Sequence, residues 1–249
     1  MDTKFNLPTE TVELPSKGLL YPKESPLSSG NVEMKYMTAK EEDILTNQNY
    51  ISNGTVIDKL LQSLLVDKTI DYSQLLIGDK NALMVAARIL SYGKDYDIMH
   101  NDEKVTVDLS KLKNKELDTK LIVDGKNEFS FKLPSTDNTL TFKLLTHKDQ
   151  GLIDNEIKGL KKLNKNSSAE ISTRLKYMIT SVNGITERKD VRDFVDNYLL
   201  ARDARELRNY YAKIQPDVDM SFMYTNQDGG EEVVEVAVGL DFFWPDAGL

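Results

Sequence analysis

The strongest constraint on what this chain can fold into is the period of its apolar residues, which changes twice along its length. Residues 38–92 follow the helical period. Within 54–66, Val56, Leu60, Leu61, Leu64 and Leu65 recur three and four apart and form one stripe. The stretch from Gly78 to Gly93 is the strongest predicted helix: Leu83, Val85, Ala86, Ile89 and Leu90 cover a wide arc, Asp79 is placed to cap its start and Gly93 to end it. A wide apolar arc puts this helix at the centre of the core. After Gly93 the period falls to two. Tyr96, Ile98, Val105 and Val107 alternate with polar residues around a turn at Asn101-Asp102, and Leu121–Val123, Phe129–Phe131 and Leu140–Leu144 read as further strands. From Thr146 the helical period returns over 147–163, 169–181, 187–197 and 201–214, and Pro216 stops it. Thr186 and Asp203 stand at the starts of the last two helices.

Both ends of the chain differ from this body. Residues 1–31 hold four of the seven prolines (Pro8, Pro15, Pro22, Pro26) with Gly18, Gly30 and Ser28-Ser29, and read as an extended arm or loop with at most short strands. Val32–Met37 alternates as a strand, and Thr38-Ala-Lys-Glu41 is a capping box that opens the first helix. At the far end, Val218–Tyr224 and Val233–Leu240 form a hairpin around Asn226–Gly230, followed by Asp241-Phe-Phe-Trp-Pro245. The expected fold is α+β: a mainly helical body with a β-rich middle insertion, a C-terminal β-hairpin and an extended proline-rich N-terminal arm. Its expected parts are the arm (1–31), a helical part (32–92), a β-rich subdomain (93–145), a second helical part (146–215) and the hairpin with its aromatic tail (216–249).

Composition narrows the function classes. With 40% hydrophobic and 29% charged residues the chain has enough apolar material for a core and too much for a disordered protein. Its 40 acidic and 32 basic residues give a net charge of −8, which argues against general affinity for nucleic acid or anionic membrane. The 249 residues include no cysteine, so disulfides, thiolate metal sites and cysteine nucleophiles are excluded. No apolar run approaches the ~20 residues of a membrane span, and Met1-Asp-Thr-Lys-Phe does not open a signal peptide.

No motif argues for catalysis. The two histidines, His100 and His147, lie in separate elements with no carboxylate at metal spacing, and read as ordinary surface residues. Pro15-Ser-Lys-Gly18 lacks the glycines and following helix of a phosphate cradle and reads as a turn. Lys158, Lys161, Lys162 and Lys165 make a solvated helix end, favourable to the dipole. Asp190 with Asp193, and Asp203 with Glu206, fit intrahelical pairing with neighbouring arginines better than an acid–base dyad. No catalytic residue, cofactor or metal is expected. The ends are the more telling candidates. Pro15, Gly18, Tyr21 and Pro22 in the arm, and Phe242, Phe243, Trp244 and Pro245 in the tail, combine large amphipathic rings with stiff backbone, as docking segments do. Two readings of the tail stay open: its rings close the protein's own core, or they insert into a neighbouring subunit.

Leu14-Pro-Ser-Lys-Gly18 with Tyr21-Pro22, Gly78-Asp-Lys80 with Arg88-Ile89 and Ser91-Tyr-Gly93, Tyr96, and Asp241-Phe-Phe-Trp-Pro245 stand in this order along nearly the whole chain. Taken together they resemble the baseplate hub and hub-assembly proteins of T-even-type contractile-tailed phages. The resemblance implies a non-enzymatic late protein of tail assembly, either a hub subunit or a hub-assembly chaperone. It would work in the host cytoplasm and in the virion tail baseplate. Its expected partners are other baseplate hub or tape-measure proteins, with no nucleic acid, membrane or small molecule. Relatives carry Cys-x-x-Cys pairs in segments corresponding to Ile98–Asn101 and Phe222–Thr225. This chain has none there, which implies that its hairpins are held by packing. Two other classes are kept beside this one: an enzyme with an unrecognised site, and a module that binds a host protein.

Overall fold

The computed structural model describes residues 7–163, 169–226, 229–239 and 241–243. Its strands and helices run, in chain order, β1 (Thr9–Glu13), β2 (Asn31–Lys35), α1 (Ala39–Leu45), α2 (Gln48–Asn53), α3 (Val56–Leu64) and α4 (Ile77–Tyr92), then β3 (Asp95–His100), β4 (Glu103–Asp108), β5 (Lys113–Asn114), β6 (Phe129–Lys132) and β7 (Thr139–Phe142). After these come α5 (His147–Leu163), α6 (Glu170–Met178), β8 (Ile179–Val182), α7 (Arg188–Asn197), α8 (Ala201–Ile214), β9 (Val218–Asp219), β10 (Ser221–Thr225) and β11 (Glu231–Glu235). The fold is α+β. Its strands form small antiparallel sheets, β1-β2, β3-β4, β5-β9, β6-β7-β8 and β10-β11, set around the helices.

Local chemistry explains most of these elements. Asn101 and Asp102 both take positive φ, 51° and 63°, the conformation a two-residue hairpin loop needs to match strand twist. The stripe of α3 is buried as its period requires, with Leu60, Leu61 and Leu64 fully enclosed. In the first turn of α1 the Glu41 carboxylate accepts from the Thr38 backbone at 3.1 Å and from Lys35 Nζ at 2.7 Å.

Two expectations are corrected. The helix expected over 169–181 ends at Met178, and Ile179-Thr-Ser-Val182 continues as β8 on the free side of β7. Three β-branched residues in four suit a pleated surface better than a helix end. Leu121–Val123 forms no regular strand. Asp118 accepts from the Lys120 backbone at 3.1 Å and opens a 3-10 turn over Thr119–Leu121, leaving a single bridge between Val123 and Lys126. The proline-rich arm, from residue 7 onward, is folded back: β1 pairs along its length with β2, and the intervening corner packs on the body. The stretch 93–145 also lends its strands outward, β5 to β9 and the β6-β7 hairpin to β8.

The β6-β7-β8 sheet covers α8 through aromatic contacts. Phe129 and Phe142 stack at 5.6 Å, Phe131 lies 5.1 Å from Tyr210, and Phe142 meets both Tyr210 and Tyr211. At the start of α8, the buried carboxylate of Asp203 accepts from the Ser135 backbone at 2.9 Å and from Thr136 Oγ1 at 3.1 Å.

Glu41 generates a prediction. Burial alone would raise its carboxyl, but hydrogen bonds from Lys35 and Thr38 outweigh burial and hold it at about 2, below the ordinary 4.5. A depressed folded value stabilises the fold above the unfolded value and loses that stabilisation as pH falls toward 2. Unfolding free energy measured between pH 6 and pH 2 should therefore fall by about 2 kcal/mol more in wild type than in Glu41→Gln. Parallel pH curves for the two proteins would contradict this.

Candidate functional site

The arm corner binds the start of α4 directly, and the tail rings reach its other end through Tyr96 of β3. At the start of α4, Asp79 is fully buried with no basic side chain against its carboxylate. Its Oδ1 accepts from the Ser16 backbone at 2.9 Å, and its Oδ2 accepts from Ser16 Oγ at 2.7 Å and from Tyr21 Oη at 2.6 Å. Tyr21 Oη in turn accepts from the Leu76 backbone at 2.9 Å. Burial pushes the Asp79 carboxyl up, while the donors from Tyr21 and Ser16 oppose that rise. Asp79 is thus not the cap of α4, whose N-cap is Leu76; it is the anchor of the arm. Sequence reading missed this, because an acidic residue in a first turn is already accounted for by the helix dipole.

The arm reaches Asp79 through a tight corner. Pro15-Ser-Lys-Gly18 is a turn, as expected: the Lys17 backbone donates to Leu14 O at 2.8 Å, and Lys17 and Gly18 take φ of 53° and 77°. A Cβ at Gly18 would lie 2.4 Å from Ser28 O, so the two sides of the corner touch backbone to backbone. Gly78, beside Asp79, lets the Pro216–Asp217 segment close on α4; a Cβ there would lie 1.8 Å from Pro216 O.

The C-terminal end of α4 holds the other motifs. Arg88 is 2% exposed, and its guanidinium donates to Gly93 O at 2.9 Å and Asp95 O at 3.3 Å. It also lies 5.4 Å and 5.5 Å from the Tyr92 and Tyr96 ring centres. Tyr96 meets Phe242 edge to face at 5.0 Å, and Phe242 meets Phe243 at 5.4 Å. Both phenylalanines are fully buried on the short turn Asp241–Phe243.

Of the eight residues proposed as partner contacts, Pro15, Gly18, Tyr21, Phe242 and Phe243 are buried in the chain's own interior and Pro22 is exposed; Trp244 and Pro245 lie outside the described residues. For Phe242 and Phe243, the reading in which rings close the core is the one the geometry shows.

The two histidines sit at joints between elements. His100 Nε2 is 3.0 Å from Glu232, and Tyr224 Oη donates to Glu103 at 2.7 Å, so the β3-β4 and β10-β11 hairpins clasp each other. His147 belongs to a half-buried cluster with Asp58, Lys80 and Tyr72. Lys80 Nζ is 2.6 Å from Asp58, and His147 is within 3.4 Å of both. Burial and the Lys80 charge push His147 down. Asp58, with donors from Lys80 and Tyr72, ties α3, the loop before α4, α4 and α5 together. Among the described residues no group of three or more acidic or histidine side chains could hold a metal ion, and no helix is long and apolar enough to cross a membrane.

Asp79→Ala should strand three buried donors and cost about 3–5 kcal/mol in chemical unfolding. Tyr21→Phe, which removes one donor, should cost about 1–3 kcal/mol. Gly78→Ala should destabilise in spite of the ~1 kcal/mol gain in helix propensity, because its methyl has no room beside Pro216. Wild-type stability in Asp79→Ala would remove the anchor from this account.

A family model described as T4 bacteriophage base plate protein matches residues 9–244, from the first residue of β1 past the buried tail rings. No curated protein and no solved structure matches the chain. With nearly its whole length inside one family model, the chain belongs to the T4 bacteriophage base plate protein family.

Proposed function

We propose that this base plate protein serves assembly of the central hub, as a hub subunit or as a hub-assembly chaperone, and that it acts by presenting shaped surface without bond-making chemistry. One observation carries the reading: the polar side chains at the arm corner and at the far end of α4 are held inside the chain. Ser16 and Tyr21 are held by Asp79, and Arg88 by backbone carbonyls. Among the described residues of the arm and tail motifs, Lys17, Pro22 and Asp241 are left exposed. The partners are other base plate proteins, and hub or tape-measure subunits are the ones we propose. Pro22, Trp244 and Pro245 are the proposed direct contacts. Pro15, Gly18, Tyr21, Phe242 and Phe243 are buried, and we propose that they act indirectly by fixing the backbone of the two segments.

Two truncations test this. A chain ending at Phe243 keeps both buried rings and should melt cooperatively by circular dichroism, yet fail to co-purify with hub intermediates. A chain ending at Leu240 loses two buried phenylalanines, each worth about 3–5 kcal/mol, and should not fold stably. Normal hub joining by the first would remove the tail from the function. Stoichiometric presence in purified tails would mark a subunit; presence in intermediates alone would mark a chaperone.

A further inference from the structure

Away from the arm and tail, a cavity of about 420 Å³ opens between α6, α8 and the start of α4. This volume is large enough to enclose an amino-acid side chain with its neighbour. Its apolar wall is made by Ile77, Leu175 and Met178, with Ile171 at 53% exposure. Its polar groups include Arg174, Arg208 and Tyr211. Charge is unevenly matched there. Arg174 Nε is 3.5 Å from Glu170, also on the lining, and its Nη1 donates to Gln150 at 3.1 Å. Arg208 donates only through Nε, to Ala204 O at 3.3 Å, and among the described residues no carboxylate pairs with it. Tyr211 Oη accepts from the Leu145 backbone at 3.0 Å, and its proton has no acceptor among the described residues. An unpaired guanidinium and an unspent hydroxyl proton beside an apolar wall are donors waiting for an anionic oxygen.

We infer that this cavity receives an acidic–apolar segment of another base plate subunit: a leucine- or phenylalanine-sized side chain seated against Ile77, Leu175 and Met178, with an adjacent carboxylate taken by Arg208 and Tyr211. The occupant is assigned by charge complementarity. In a chain of net charge −8, a cavity whose unpaired ionic group is a guanidinium selects a negatively charged partner group. The inference rests on the base plate reading for the identity of the partner as a protein.

The test uses the full chain and two blocked peptides, acetyl-Gly-Asp-Phe-Gly-amide and its Asn counterpart, titrated by NMR with decanoate as a third probe. The aspartyl peptide should shift resonances of Ile171, Arg208 and Tyr211 and bind about tenfold more tightly than the asparaginyl peptide. Arg208→Glu should abolish that preference and Arg208→Lys should retain part of it. Arg208 is exposed, so neither variant should alter the melt. Equal binding of the two peptides, shifts elsewhere, or binding of decanoate alone would overturn the assignment. Co-purification separates the two levels. If Arg208→Glu joins base plate intermediates as wild type does, the cavity is not the contact and the base plate reading stands. If wild type joins none, the base plate reading itself fails.

Discussion

A buried carboxylate that lacks a cation is costly unless both its oxygens are hydrogen-bonded, and Asp79 meets that condition only when the arm is in place. Its two oxygens take three hydrogen bonds, all from Ser16 and Tyr21, more than fifty residues away in sequence. The dependence is mutual. Without Asp79 the buried hydroxyls of Ser16 and Tyr21 lose their acceptor; without the arm, Asp79 keeps only the positive end of α4. Arm and helix therefore fold as one unit, and the β1-β2 pairing that follows is fixed to the same frame.

From that anchor α4 extends as an axis. About 14 Å further along, Arg88 stands at the opposite end with reversed charge, its two terminal nitrogens hydrogen-bonded and its buried Nε without a partner among the described residues. A buried guanidinium donates to the carbonyls of Gly93 and Asp95 and faces two tyrosine rings. Of those rings Tyr96 meets Phe242, which meets Phe243, so the C-terminal turn is joined to this end of α4 through β3. Motifs scattered over more than 200 residues thus turn out to be the fastenings of one helix, which accounts for their wide spacing. The hairpins at this end show a similar economy. In a chain without cysteine they are joined by an imidazole–carboxylate contact, a phenol–carboxylate hydrogen bond and an edge-to-face pair of His100 with Tyr224 at 5.5 Å.

For a base plate protein this arrangement has a consequence. Its polar side chains pair with one another across elements, as in Asp58 with Lys80, His147 and Tyr72. We propose that the rigidity gained lets the outer surface act as a fixed shape, at the Pro22 corner and at the cavity lined by Arg208.

Much of this was legible in the residue pattern. Helix and strand types followed from apolar period, the β3-β4 turn from Asn101-Asp102, the first helix start from Thr38 and Glu41, and the turn at Lys17-Gly18 from its glycine, because each depends on neighbours within a few residues. The end of α6 and the loss of a strand at Leu121–Val123 were not legible: a β-branched run is drawn into a strand only when a partner such as β7 lies beside it, and a short apolar run with no partner stays a turn. Nor could the pattern show that Asp79 belongs to the arm, that Phe242 meets Tyr96, or that Arg208 stands unpaired over an apolar wall. Those facts depend on which distant groups come within hydrogen-bonding or van der Waals reach. Only the closed chain settles that, because contacts between distant residues are chosen by the packing of the whole and leave no periodic trace in either segment.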